Sequence, residues 1–191
     1  MCGLFGFIGE KPDRDLIVEL GYKAGTRGPH GYGVFTWSTY WTKEVHIHDD
    51  LQSLKGIAEP FIGHARLATF GRTFQPIVGN QCAIAHNGNI YQHKEIARAH
   101  GIELKTDCDS EVLLRLFEAS EGSPAERMKR VIEVVQPSNA NAALIFGKGF
   151  IVAYRHRHPL YIGHRKEGVY FCSRPFEGAK LQEEGIESFE Y

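Results

Sequence analysis

Apolar spacing changes character along this chain in an order that narrows the fold before any single motif is considered. Gly3–Gly9 is an apolar run with glycines, suited to a buried strand that lies close to a neighbouring backbone. Asp13–Lys23 places Leu16, Ile17, Leu20 and Tyr22 at helical spacing, with Gly25 as a stop. Val34–Tyr40 and Glu44–His48 are aromatic or β-branched and are expected to pair as a hairpin. Phe61–Arg66 and Gln81–Ala85 read as interior strands running into loops. Helices follow at Tyr91–His100, Ser110–Ala119 and from Ser123-Pro124-Ala125-Glu126, a capping box with proline at the first helical position. Strand patterns then return at Ala142–Phe146, Phe150–Tyr154, Leu160–Ile162 and Val169–Cys172, and a polar tail ends in a strand-like Ile186–Tyr191. Strands, then helices, then strands predict an α+β fold with two sheets and helices outside them, not alternating βαβ units.

With 191 residues and 42% hydrophobic content, the chain supports one domain over 1–191, its core spanning about 2–175. A net charge of −1 gives no electrostatic case for nucleic acid or a membrane surface as partner. No apolar stretch approaches the ~20 residues that span a bilayer. The start lacks the basic region of a signal peptide, so a cytoplasmic location is expected. Four cysteines (Cys2, Cys82, Cys108, Cys172) show no paired spacing. His46/His48 and His156/His158 have strand-face spacing, but no carboxylate or cysteine completes a ligand set; no metal and no cofactor are expected.

Chemistry enters at the second residue. Aminopeptidases remove an initiator methionine before a small residue, which would leave Cys2 with its own α-amine beside its sulfur. A free α-amine has a pKa of about 7.7–8.0 and a thiol about 8.5. The neutral amine can therefore take the thiol proton, and one residue supplies both nucleophile and base. Taken alone, Cys2 reads more readily as a buried thiol at the start of a strand. Asn87-Gly88 alone reads as a hairpin turn, but an apolar strand precedes it and a helix-like segment follows. An amide side chain and a backbone N–H at that place could together stabilise an oxyanion.

Five segments taken in order carry a resemblance. Met1-Cys2-Gly3-Leu4-Phe5-Gly6, Arg27-Gly28-Pro29-His30-Gly31, Gly63-His64-Ala65-Arg66-Leu67-Ala68-Thr69-Phe70-Gly71, Ala85-His86-Asn87-Gly88-Asn89 and Thr106-Asp107-Cys108-Asp109-Ser110-Glu111 resemble the motifs of class II glutamine amidotransferases, the N-terminal-cysteine branch of the N-terminal-nucleophile hydrolases. The resemblance implies a four-layer αββα sandwich of two mostly antiparallel sheets flanked by helices. It implies catalytic roles for Cys2, Asn87 and Gly88. For the substrate, L-glutamine, it implies an α-carboxylate held by Arg66, a contact from Thr69, and an α-ammonium held by Asp109, which could also cap the following helix. Arg27 is expected as a buried ion-pair partner near Cys2, and His86 as a buried, satisfied histidine.

Leu67 and Phe70 stand where sugar-phosphate amidotransferases often have tryptophan and histidine, which counts against that subfamily. Relatives pass ammonia to a fused synthase domain, for which 191 residues leave no room. A separate synthase subunit is therefore the expected partner. The alternatives are a stand-alone γ-glutamyl amide hydrolase and a catalytically silent glutamine-binding module. Oligomeric state is not legible.

Overall fold

The computed structural model describes residues 1–68 and 71–191. Strand β1 (Gly3–Gly9) shows how the layers arise. Alternate side chains leave opposite faces of a strand. Phe5 and Phe7 enter one core, while Leu4 and Ile8 enter another. Helix α1 (Arg14–Gly25) covers the first of these faces with Ile17, Leu20 and Ala24. It starts at Asp13, whose carboxylate accepts the N–H groups of Asp15 and Leu16. Gly3 permits the contact that seats the two elements: a Cβ there would lie 2.2 Å from the Ala24 carbonyl oxygen.

The remaining strands are β2 (Tyr32–Phe35), β3 (Tyr40–Lys43), β4 (Phe61–Ala65), β5 (Ile77–Val78), β6 (Cys82–Asn87), β7 (Asn141–Gly147), β8 (Phe150–His156), β9 (Tyr161–Arg165), β10 (Gly168–Cys172), β11 (Lys180–Leu181) and β12 (Gly185–Glu190). Among the described residues they form a seven-stranded sheet, β11-β9-β10-β1-β4-β2-β3, and a five-stranded sheet, β12-β8-β7-β6-β5. The strand pairs of both sheets are antiparallel. Leu4, Ile62, Ala85, Leu144 and Phe171 fill the space between the sheets. Helices α3 (His93–Ala99), α4 (Glu111–Ala119) and α5 (Pro124–Val135) cover the smaller sheet through Ala97, Val112, Leu113, Leu116, Phe117, Met128 and Val131. Short helix α2 (Leu51–Leu54) packs beside α1. Three apolar cores between four layers make the αββα sandwich expected above.

Two local readings change. The hairpin is formed by β2 and β3, with Phe35 opposite Tyr40 and a turn at 36–39. Its return strand therefore begins earlier than Glu44, and Ile47–Asp49 is a 3-10 turn. The turn closes where the Thr36 hydroxyl accepts the Thr39 N–H at 2.8 Å, local chemistry that outweighs the β-propensity of Trp37 and Thr39. The polar tail is built into the fold: β11 extends one sheet and β12 pairs with β8 along Gly185–Glu190.

Candidate active site

Cys2 lies just ahead of β1, and Asn87 ends β6 of the facing sheet. The Cys2 backbone N–H donates to Asn87 Oδ1 at 2.9 Å. That bond sets the orientation of the amide, because only its oxygen can accept. The other branch, Asn87 Nδ2, is buried and has no hydrogen-bond partner among the described residues. A buried donor left unpaired costs about 1–3 kcal/mol. Such a cost is tolerated where a ligand atom will arrive.

The thiol is braced from the other side by Leu67, whose N–H donates to Cys2 Sγ at 3.4 Å. Burial pushes the Cys2 thiol above its ordinary value, opposed by the Leu67 N–H, the amino terminus, Arg66 and Arg27. At neutral pH the sulfur therefore keeps its proton and needs a base. Burial raises Cys82 and Cys108 to about 11 and Cys172 to about 12. No cysteine is in a disulfide among the described residues.

Arg66, at the end of β4, lines the same narrow cleft as Cys2, Gly88 and Asp109. Its Nη2 donates to Gly71 O at 2.5 Å, and its guanidinium lies 5.0 Å from the Phe74 ring centroid. Thr69 and Phe70 lie outside the described residues. Asp109 is no helix cap: Ser110 occupies the cap position without a side-chain bond. Instead Asp109 Oδ2 accepts the Ile90 N–H at 2.5 Å, tying the segment after Gly88 to the start of α4. Nor, among the described residues, does a carboxylate hold Arg27; its Nε donates to the Cys2 carbonyl at 2.9 Å and so fixes the Cys2 backbone.

A closed polar ring lies beneath. His86 Nε2 meets Asn141 Oδ1 at 2.7 Å and Nδ1 meets Ser110 Oγ at 2.8 Å, while the His86 N–H donates to Gln75 Oε1 at 2.7 Å. Gln75 Nε2 closes the ring on Ser110 Oγ at 3.2 Å. Because Asn141 Oδ1 can only accept, His86 carries its proton on Nε2. Gly88 is required above this ring: a Cβ there would fall 2.1 Å from Asn141 Oδ1 and 2.9 Å from His86 Nε2. Gln75, Ser110 and Asn141 were not foreseen from sequence, and Asn141 sits in no motif. His30 was visible in its motif, and it holds the site loop by accepting the Ala68 N–H at Nδ1 (2.8 Å).

Asp107, exposed on the rim, accepts the N–H groups of Arg72 (2.6 Å) and Thr73 (3.0 Å) and the Thr73 hydroxyl. His48 stacks on Tyr22 at 4.2 Å, and no group of three metal-ligating side chains occurs among the described residues. Nor is any helix there long and apolar enough to cross a membrane.

A family profile described as a glutamine amidotransferase domain matches residues 1–176. Glutamine–fructose-6-phosphate aminotransferase (isomerizing) of Rhizobium meliloti (strain 1021) is 30% identical over 191 residues, covering 91% of this chain and 31% of the relative. The Chlamydia pneumoniae protein of that name is 31% identical over 136 residues, covering 61% and 22%. The chain thus spans about a third or less of these relatives. Among solved structures, B. subtilis glutamine phosphoribosylpyrophosphate amidotransferase with ADP and GMP superposes with TM-score 0.77 at 24% identity, over 99% of this chain and 49% of that one. A glutamine aminotransferase class-II domain protein from Silicibacter pomeroyi gives 0.72 at 15% identity, with 99% of both chains covered. These two share the N-terminal-nucleophile hydrolase sandwich with this protein. With its five motifs in order, the profile match over most of its length and Cys2 seated against Asn87, this chain belongs to the class II glutamine amidotransferase domain family.

Proposed function

We propose that this domain hydrolyses the side-chain amide of L-glutamine to glutamate and ammonia through a Cys2 thioester. The reading is carried by the Asn87 amide, whose oxygen holds the Cys2 nitrogen while its buried Nδ2 is left without a partner beside the thiol. After loss of Met1, the α-amine takes the thiol proton and Sγ attacks the amide carbon. Asn87 Nδ2 and the Gly88 N–H meet the oxyanion. The tetrahedral intermediate collapses with cleavage of the C–N bond; the α-ammonium returns its proton to the nitrogen, and ammonia leaves. Water, deprotonated by the same amine, then opens the thioester. Arg66, Thr69 and Asp109 hold the amino-acid end. The ammonia passes to a synthase on a partner subunit, in the cytoplasm, where Cys2 stays reduced.

Intact mass spectrometry before and after treatment with a diazo-ketone glutamine analogue tests this. The expected result is loss of Met1 and one adduct, on Cys2. An adduct on Cys82, Cys108 or Cys172 instead overturns the assignment. Glutaminase assays with and without candidate synthases test the ammonia transfer.

A further inference from the structure

Adjoining the cleft of Arg66 and Asp109, and sharing Cys2 and Gly88 with it, lies a second cavity of about 140 Å³ that Met1, Asn87 and His158 also line. No family motif noted above contains His158. Its delivery to this cavity depends on an unusual turn. Arg157, between β8 and β9, adopts φ +64°, a conformation that side chains other than glycine rarely hold. The neighbouring structure enforces it. Glu184 accepts the Arg157 N–H at 3.1 Å and meets His156 Nδ1 at 3.1 Å, and Arg157 forms a bridge with Asn141. Asn141 is also the residue that receives His86 Nε2 and crowds Gly88. One asparagine therefore registers both the oxyanion strand and the His158 turn. Backbone strain kept in place by surrounding bonds is characteristic of functional positions.

We propose that the His158 imidazole accepts a hydrogen bond from the Cys2 α-amine once Met1 has gone, and so positions the base of the reaction; this rests on the glutaminase reading above. A terminal ammonium has three N–H donors. Asn87 Oδ1 takes one, on the evidence of the 2.9 Å bond already formed by the Cys2 nitrogen. Two remain, one for the thiol and one for a further acceptor, and His158 lines a cavity with Cys2. A cation there would repel the ammonium, but His158 is neutral at working pH: burial, Arg27, His86 and the amino terminus hold it to about 4.

The groups acting on Cys2 and its surroundings are Arg27 from the end of α1, Arg66 from the end of β4, His86 from β6 and His158; Arg174 acts on Arg27, and Asp109 on His86. Of these His158 alone is a neutral acceptor that lines the cavity with Cys2 and lies outside the polar ring. An acceptor favours the ammonium form, so its loss lowers the amine pKa.

The test compares the parent protein with His158→Leu and His158→Gln in the pH profile of kcat/KM for glutamine. In the leucine variant the acid limb should move down by about half to one pH unit, and kcat should fall roughly tenfold. KM should stay within about twofold, because the amino-acid end is held elsewhere. Glutamine's amide oxygen can still accept, so His158→Gln should recover most of both effects. An unmoved acid limb in a folded leucine variant, or a raised KM with normal kcat, overturns the proposal. Alkylation of Cys2 by iodoacetamide against pH needs no turnover and separates the two readings. A shifted alkylation profile in a protein with no glutaminase activity upholds His158 and overturns the glutaminase reading. An active enzyme with identical profiles in parent and leucine variant does the reverse.

Discussion

Cys2, Asn87 and Arg66 adjoin or end interior strands of two facing sheets, whereas Asp109 and the 72–73 rim stand on segments braced by single side chains. At the first end, β1 is paired on both sides by β4 and β10, and β6 by β7 and β5. Position there is set by ladders that cannot shift by less than a register step. At the second end, Asp107 holds 72–73 and Asp109 holds Ile90, each through one exposed or half-buried carboxylate. On the proposed reading, the reacting atoms and Arg66 are thus placed by architecture, and Asp109 and the rim by removable braces. Chemistry tolerates little misplacement, while a binding end must yield to admit its ligand.

The difference makes ranked predictions. Asn87→Ala should lower kcat by about 10²–10³ with glutamine binding retained. Asn87→Asp should be worse near neutral pH, since it sets a negative charge where one develops. Near-normal kcat in folded Asn87→Ala, checked by a thermal melt, would collapse the distinction between the two ends. Arg66→Lys and Asp109→Asn should each raise KM roughly ten- to a hundredfold with little change in kcat, given about 1.5–3 kcal/mol for a charge-assisted contact. Steady-state kinetics decide, and an unchanged KM removes that residue from the pocket. Asp107→Asn, which weakens a brace without touching the cleft, should raise KM only about two- to fivefold. A fall in kcat beyond tenfold there would show that the braced end also places the reacting atoms.

The smallest effect concerns stability. His64 is buried at the strand-built end, and neither ring nitrogen makes a well-formed hydrogen bond among the described residues. Burial holds it to about 3, against an ordinary 6.5. Below pH 6.5 the unfolded chain binds the proton that the folded one refuses, so stability falls as pH drops toward 3 and is unaffected above 6.5. Replacing His64 with Leu should flatten that decline by up to about 1.4 kcal/mol per pH unit in melts between pH 7 and 4.5. Asp107 behaves differently: the Thr73 hydroxyl and the Arg72 N–H depress its pKa, so its contribution persists down to the carboxylate range and Asp107→Asn should leave the slope in this window unchanged.

Legibility followed the same division. Period-two and period-3.6 patterns report burial, so β1, β4, β6 and α4 were readable within a residue or two, and the capping box at Ser123 and Glu126 forms as expected. Hairpin register was not readable, because Thr36 decides it through a turn bond that hydrophobic spacing does not encode. At the site, Cys2, Asn87, Gly88, Arg66 and Asp109, all named from their motifs, line two adjoining cavities. Their local roles were harder to foresee. Asp109 as a cap and Arg27 as an ion-pair partner are both plausible from neighbours in sequence, but their partners Ile90 and Cys2 lie 19 and 25 residues away. Asn141 carried no local signal, and His158 showed only its strand-face spacing with His156, since their surroundings come from strands that meet only in three dimensions.

Strand β1 has a consequence in time. Its two partners are β4, at 61–65, and β10, at 168–172, and the Ser173 N–H and hydroxyl close on Leu4 just beyond. The second partner does not exist until the ribosome has passed residue 172, roughly 5–20 s after the first at ~5–20 residues per second. Through that interval β1 has β4 alone as a strand partner. Afterwards the Met1 sulfur rests on Arg27 and the Cys2 carbonyl is clamped. Synthesis order thus makes the seating of Cys2 a late event, completed only when the larger sheet closes around β1.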